Sequence, residues 1–379
     1  MILTLALAAL LQAPAVPASA PARAAVPTQA AAERPITSLA DTAEPGDDPH
    51  SLGALPMTIL PGQPFGVTVI APVSIGWQLG GRPDVLDVVL TGLGTGYQEQ
   101  FYLQLPLKQG GGPVPLLMLF HKYGSKANDG FLNTSFPYEC ARRGWFYLSS
   151  LGATKKSFSC LPGQTNREAV WDWVMAFTGG AIDPERQYGV GFSMGGGSVV
   201  NWAARHQDPS GPMLAAAVDH TGGVALEDTW LNDAPVRTFL EFWAGGTPAT
   251  APFGYQRSSA VSFDPITLAP DASVSMGVNL VHMPLYVVHA SADPLGYLVQ
   301  QTKVFKDFML SLGGVLLYEE VPFVGHEWSS LDERAACDFL SGTKRSLPLS
   351  GTTLADEAGR WVWCDLEQDA GGAFTRLAW

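Results

Sequence analysis

Residues 188–206 constrain the fold most tightly. There an apolar run ends in Gly191-Phe192-Ser193-Met194-Gly195 and continues directly into Gly196-Gly197-Ser198-Val199-Val200. Tyr188-Phe192 reads as a buried strand, and about Gly195 to His206 as a helix. A strand that becomes a helix within two residues forces the residue between them into a strained backbone, with its side chain presented at the carboxyl edge of the sheet. Glycines must flank it, because a side chain there would strike the neighbouring strand or helix. In a chain with 41 glycines a Gly-x-Ser-x-Gly match alone says little. Strand, turn and helix together make Ser193 a candidate nucleophile.

The surrounding pattern supplies the sheet that such a turn needs. Pro115-Phe120, Trp145-Ser149, Tyr188-Phe192, Leu214-Val218, Leu285-Val288 and Val315-Glu319 read as strands. They alternate with helical stretches at 165–177, 195–206 and 298–312. Strands apolar on both faces, separated by helices, predict an α/β fold: a mostly parallel central sheet with helices on both faces. The helix at 165–177 is expected to open with a capping box, Thr165 and Glu168. Met57-Leu60, Gly66-Ile70, Leu86-Leu90 and Gln100-Leu105 read as a β-rich lead-in over 56–110, the last two pairing antiparallel. Alternation lapses over 224–281, an aromatic insertion that reads either as a lid or substrate wall, or as helices packed on the core edge.

A serine hydroxyl needs a base, and the base needs an orienting acid. Among seven histidines, His326 follows a strand in Pro322-Phe323-Val324-Gly325-His326. Glu327 follows it, but Ser330 stands where a His-Glu-x-x-His zinc motif requires the second histidine. Asp293 follows the strand Leu285-Val288, with Asp264 and Asp271 as weaker alternatives because neither follows a clear strand. An oxyanion needs two backbone donors. Met194 supplies one, and Lys122 or Tyr123, after the strand ending at Phe120, supplies the other. His121 and His220 read as strand-end histidines bonded locally. Tyr123 and Trp328 are candidate substrate-binding aromatics. No cofactor is required.

Four sequences, Leu119-Phe120-His121-Lys122-Tyr123-Gly124, Gly191–Gly197, Val287–Pro294 and Val324-Gly325-His326-Glu327-Trp328, carry a resemblance. Together they look like secreted esterases of the polyhydroxybutyrate depolymerase and feruloyl esterase group. They also resemble the catalytic domain of prolyl-oligopeptidase-type peptidases. The likeness spans roughly 86–340 and implies an α/β-hydrolase fold with Ser193, Asp293 and His326 as the triad, in that family's chain order. One departure is His289-Ala290, where the pattern has His-Gly. The expected activity is hydrolysis of small-molecule or polymeric esters. A serine peptidase, suggested by Arg257-Ser258-Ser259 and the Asp264-Pro265 region before the acid's strand, and a non-catalytic binding protein are the alternatives.

The remaining expectations concern compartment and partners. Ile2-Leu11 is apolar but too short to span a bilayer, and Ala18-Ser19-Ala20 and Ala22-Arg23-Ala24 follow it. This predicts a signal peptide over 1–24 and a secreted protein, although no Lys or Arg precedes the run. An Ala/Pro-rich linker at 25–55 and a hydrolase domain at 56–379 follow. The net charge is −13, from 22 basic and 35 acidic residues, which argues against nucleic acid. No stable membrane span is expected. Cys140, Cys160, Cys337 and Cys364 are expected to form two local disulfides, Cys140 with Cys160 and Cys337 with Cys364.

Overall fold

The computed structural model describes residues 65–70, 85–106, 112–368 and 371–379. The expected signal peptide, the linker and the strand Met57-Leu60 lie outside the described residues.

Nine strands form one sheet in the order β1-β2-β3-β5-β4-β6-β7-β8-β9. β1 (Gly66–Ile70), β2 (Val85–Thr91) and β3 (Glu99–Gln104) make an antiparallel edge, the last joined antiparallel to β5 (Phe146–Ser150). From there β5, β4 (Val114–Phe120), β6 (Ile182–Phe192), β7 (Ala216–His220), β8 (Leu285–Ala290) and β9 (Leu316–Val321) run parallel. All six expected strands of the parallel part are present, most displaced by one or two residues.

Period-two alternation divides the strand side chains between two cores. On β4, Leu116, Met118 and Phe120 point into one core. That core also takes up α3 (Leu161–Thr178), α4 (Met194–Arg205) and α8 (Gly296–Ser311). Leu117 and Leu119 point into the other, which α1 (Asp129–Asn133), α2 (Phe136–Arg143) and α9 (Glu333–Ser341) cover. Each of these fully buried leucines contributes roughly 1.5–3 kcal/mol over exposure. Helices on both faces follow from strands that are apolar on both faces.

Segment 224–281 builds a third, smaller core. α5 (Leu226–Asn232), the 3-10 turn Ala234–Val236, α6 (Arg237–Ala244) and α7 (Pro252–Arg257) bring Leu226, Val236, Leu240 and Tyr255 against Phe158 and Met194. The insertion therefore packs on the residue after the candidate nucleophile and forms a wall beside it.

Two expectations are corrected. α3 starts at Leu161 rather than Thr165, and the Cys160 thiol caps it by accepting from the Gly163 amide at 3.4 Å. Glu168 instead pairs with His206 at 2.9 Å, so the reach-back of a capping box is absent. The four cysteines are free thiols. Cys140 on α2 lies beside Cys337 on the adjacent α9, and burial, with that neighbouring thiol, pushes the Cys140 thiol up. Cys160 caps α3 and Cys364 lies in the short strand Cys364–Leu366, so each expected local partner sits in a different element. Proximity in sequence misled because sheet packing, not loop length, decides which buried thiols meet.

Candidate active site

The parallel strands deliver their following loops to one sheet edge. β4 leads to His121-Lys122-Tyr123, β6 to Ser193, β8 to Asp293 and β9 to His326. The turn at Ser193 has φ 58° and ψ −121°, a left-handed value that a non-glycine residue adopts at a cost of order 1–3 kcal/mol. Three backbone bonds hold it there. The Ser193 amide donates to the His220 carbonyl at 2.9 Å, and the amides of Gly197 and Gly223 donate to the Ser193 carbonyl at 3.3 and 3.1 Å. The flanking glycines are steric necessities. A Cβ on Gly191 would sit 2.0 Å from the Gly195 carbonyl oxygen, and one on Gly195 would sit 2.0 Å from the Phe120 carbonyl oxygen.

Ser193, His326 and Asp293 form a continuous relay. His326 Nε2 lies 2.9 Å from Ser193 Oγ, and Nδ1 lies 2.6 Å from Asp293 Oδ2. The tautomer with hydrogen on Nδ1 satisfies both contacts, donating to the carboxylate and accepting from the hydroxyl. Asp293 is held in turn by the Leu295 amide, which donates to Oδ1 at 2.8 Å. Its side chain is fully buried, while the imidazole keeps 18% of its surface open. Asp264 caps its own exposed loop at the Ile266 and Thr267 amides, and Asp271 pairs with Ser273. Neither reaches the relay.

A cavity of about 220 Å³ opens beside the hydroxyl, lined by Lys122, Tyr123, Phe158, Met194, Asp233 and Tyr297 among others. Met194 opens α4, where backbone amides have no intrahelical acceptor. The loop after β4 orients its peptides unequally. The His121 carbonyl oxygen lies close to Gly195 in α4, and the Lys122 carbonyl accepts from His121 Nδ1 at 2.8 Å. In a trans peptide the N–H points opposite to the carbonyl. The Tyr123 amide therefore faces away from the buried His121 ring. His121 also meets the Leu151 carbonyl through Nε2 at 2.7 Å, as expected for a locally bonded strand-end histidine.

Trp328 does not line this cavity. It is buried behind the relay, its indole N–H donating to Asp129 at 3.2 Å and its ring 5.0 Å from Phe192. The residue two positions from a surface-loop histidine turns inward because the 3-10 turn Trp328–Ser330 folds back onto the sheet. Arg257, the basis of the peptidase alternative, is engaged with Asp356 and Glu357, away from the cavity.

Sequence reasoning missed four features. Asp233, at the end of α5, and Tyr297, in α8, line the cavity, and the Tyr297 hydroxyl donates to Asp233 Oδ2 at 2.7 Å. Phe158 joins them from the loop before α3. His220 is fully buried, stacks on Phe192 at 4.5 Å and meets Ser330 through Nε2. Ser330 in turn donates to the Glu327 carbonyl at 2.8 Å, so His220 braces the loop that carries His326. Burial, aided by nearby His326, holds His220 down at about 3 and therefore neutral. Tyr297 stands four residues after Asp293, the one positional signal available; Asp233 sits in a stretch without periodicity.

Among solved structures, an S-formylglutathione hydrolase from Agrobacterium tumefaciens aligns with a TM-score of 0.53 at 12% identity. The match covers 76% of this chain and 99% of that one. A ferulic acid esterase aligns with a TM-score of 0.47 at 16% identity, covering 68% of this chain and 96% of that one. A fluorophosphonate-binding serine hydrolase from Staphylococcus aureus aligns with a TM-score of 0.49 at 16% identity, covering 68% and 97%. No family model matches the sequence, and no curated protein does. The first of these likenesses, with the sheet order, assigns the chain to the α/β-hydrolase fold.

Proposed function

We propose that this chain is a serine hydrolase of carboxylic esters that works through an acyl-enzyme. The observation that carries the reading is the relay itself: hydroxyl, imidazole and buried carboxylate at 2.9 and 2.6 Å, beside a cavity. A fold alone implies no activity. A serine held in a strained turn with its hydroxyl bonded to an oriented imidazole is the arrangement nucleophilic acyl transfer needs.

Ser193 attacks the ester carbonyl as His326 Nε2 accepts its proton. Asp293 holds the imidazole in its tautomer and stabilises the cation that forms. The Met194 amide and the amide of Lys122 or Tyr123 receive the developing oxyanion. His326 then returns the proton to the leaving alcohol, and a water activated by the same ring releases the acid. The cavity, small beside the 300 Å³ and upward typical of ligand pockets, supports a short chain in the buried half of the substrate.

Fluorophosphonate labelling tests the reading. Mass spectrometry is expected to find the adduct on Ser193, with p-nitrophenyl esters hydrolysed and peptide anilides left intact. Labelling elsewhere, or of the Ser193→Ala variant at the same rate, would remove the proposal. Export, and action on a polymeric ester, are finer parts of it supported by sequence alone. The first predicts a mature chain beginning near residue 25 in the extracellular or periplasmic fraction. The second predicts release of soluble acids from a suspended polyester.

A further inference from the structure

The cavity beside Ser193 holds a charge that ester hydrolysis does not use. Asp233, at the end of α5, places its carboxylate on the cavity wall, and Tyr297 on α8 donates to one of its oxygens at 2.7 Å. That phenol contributes the one side-chain hydrogen bond the carboxylate makes among the described residues. The rest of the wall includes the apolar side chains of Phe158, Met194, Val236 and Leu298. An alkyl chain filling this space would strip water from a carboxylate with an acceptor site unfilled, which is costly. A substrate that carries its own donor removes that cost, and a site built around such a donor discriminates strongly against analogues lacking it.

We infer that the cavity is a subsite for esters whose buried half carries a hydrogen-bond donor, an O–H or N–H⁺ group, received by the Asp233 carboxylate that Tyr297 holds in position. The inference rests on the ester-hydrolase reading above and adds the substrate class to it. Lys122 lines the same cavity and makes no ion pair among the described residues. It repels an ammonium and leaves a hydroxyl unaffected, so the hydroxyl-bearing ester is the better of the two. Tyr297 acts through Asp233 and is a positioning residue. The insertion that supplies α5 is therefore where this chain's selectivity is written, while the sheet edge supplies the chemistry.

The test compares isosteric phenyl esters of butanoate, 3-hydroxypropanoate and 3-aminopropanoate. A matched series varies the alcohol half instead (butyl, 3-hydroxypropyl and 3-ammoniopropyl acetates), and six-carbon homologues of each extend the reach. The expected result is a preference of tenfold or more in kcat/KM for a donor-bearing ester over its methyl isostere in one series. Because the preference is a ratio within one protein, Asp233→Asn is read as its collapse toward unity whatever happens to the absolute rates. Tyr297→Phe is expected to reduce it by less. Selection of the ammonium ester would still support the donor subsite, with Lys122 not opposing it. Equal rates for all three groups in every series, or a preference that survives Asp233→Asn, would overturn the inference and leave the hydrolase reading standing. No turnover of any ester, with Ser193 unlabelled by fluorophosphonate, would sink both.

Discussion

The turn at Ser193 and the insertion that walls its cavity are built on opposite principles. Every residue of α4, from Met194 to Arg205, is buried, and its glycines let α4, β4 and the Gly222-Gly223 loop approach backbone to backbone. The insertion offers short helices with few buried positions: one residue of α6, Leu240, is buried, and Phe242 is exposed. Close packing fixes the reacting atoms, since interiors at this density transmit any added volume as strain. Greater exposure leaves the wall free to carry selectivity. Substitutions at the turn should therefore destroy rate or fold, and substitutions in the wall should change which substrate is preferred.

The largest effects belong to the relay. Ser193→Ala and His326→Ala are each expected to lower kcat by about 10⁴–10⁶, and the double variant no further, because the two act as one unit. Steady-state kinetics with an activated ester measures all three. Next comes Gly195→Ala, whose Cβ would meet the Phe120 carbonyl oxygen at 2.0 Å with only backbone to move. A destabilisation of about 3 kcal/mol or more, read by urea unfolding, is expected. A Gly195→Ala variant as stable as the parent would contradict the contrast drawn above.

How much of this was legible in the sequence follows from the same contrast. Ser193 was readable because strand, turn and helix must coincide in consecutive residues. Asp293 and His326 were readable because each trails a continuous apolar strand, and strand ends define the sheet edge. Tyr123, which follows β4, lines the cavity for the same reason. The cavity's polar wall was hidden, since Asp233 meets Tyr297 across 64 residues with no period linking them. Trp328 was misplaced because the fold of its 3-10 turn, not its distance from His326, decides where the indole goes. The cysteine pairing failed likewise: α2 and α9 are neighbours through tertiary packing alone.

A third test sets the buried edge against pH. Asp219, the residue before His220, is wholly buried, and neither carboxylate oxygen makes a well-formed hydrogen bond. Burial raises it to about 7, with only the neighbouring Gly222 amide pulling the other way. The folded state therefore holds its proton more tightly than the unfolded chain, where the group titrates near 3.8. Its contribution to stability is complete below about pH 4 and is lost as pH rises through 7. The slope is at most about 1.4 kcal/mol per pH unit. Asp219→Asn removes that slope, so its stability relative to the parent should climb between pH 4 and 7 and level off above. Parallel stability curves for the two proteins would show that Asp219 finds a partner in solution.

Smaller in rate is the brace behind the base. Ser330→Ala breaks the link between the neutral His220 ring and the turn after His326, leaving the Ser193 and His326 side chains in place. A fall in kcat of about tenfold with KM unchanged is expected, with a matching fall in the fluorophosphonate labelling rate. His220→Gln, whose amide can still donate to Ser330, should retain more activity than His220→Leu at equal thermal stability. Equal losses in the two variants would mean that His220 acts by filling space.

The smallest expected effect lies in the wall. Val236 is buried in the insertion's core and lines the cavity, so Val236→Ala lengthens the space without touching the relay. The loss of two methyl groups should cost roughly 1–2 kcal/mol of stability, because the short, partly exposed helices can close part of the gap. The ratio of hexanoate to acetate ester hydrolysis should rise about threefold. A larger fall in stability, with that ratio unchanged, would make the insertion as tightly packed as the turn and remove the division of labour between them.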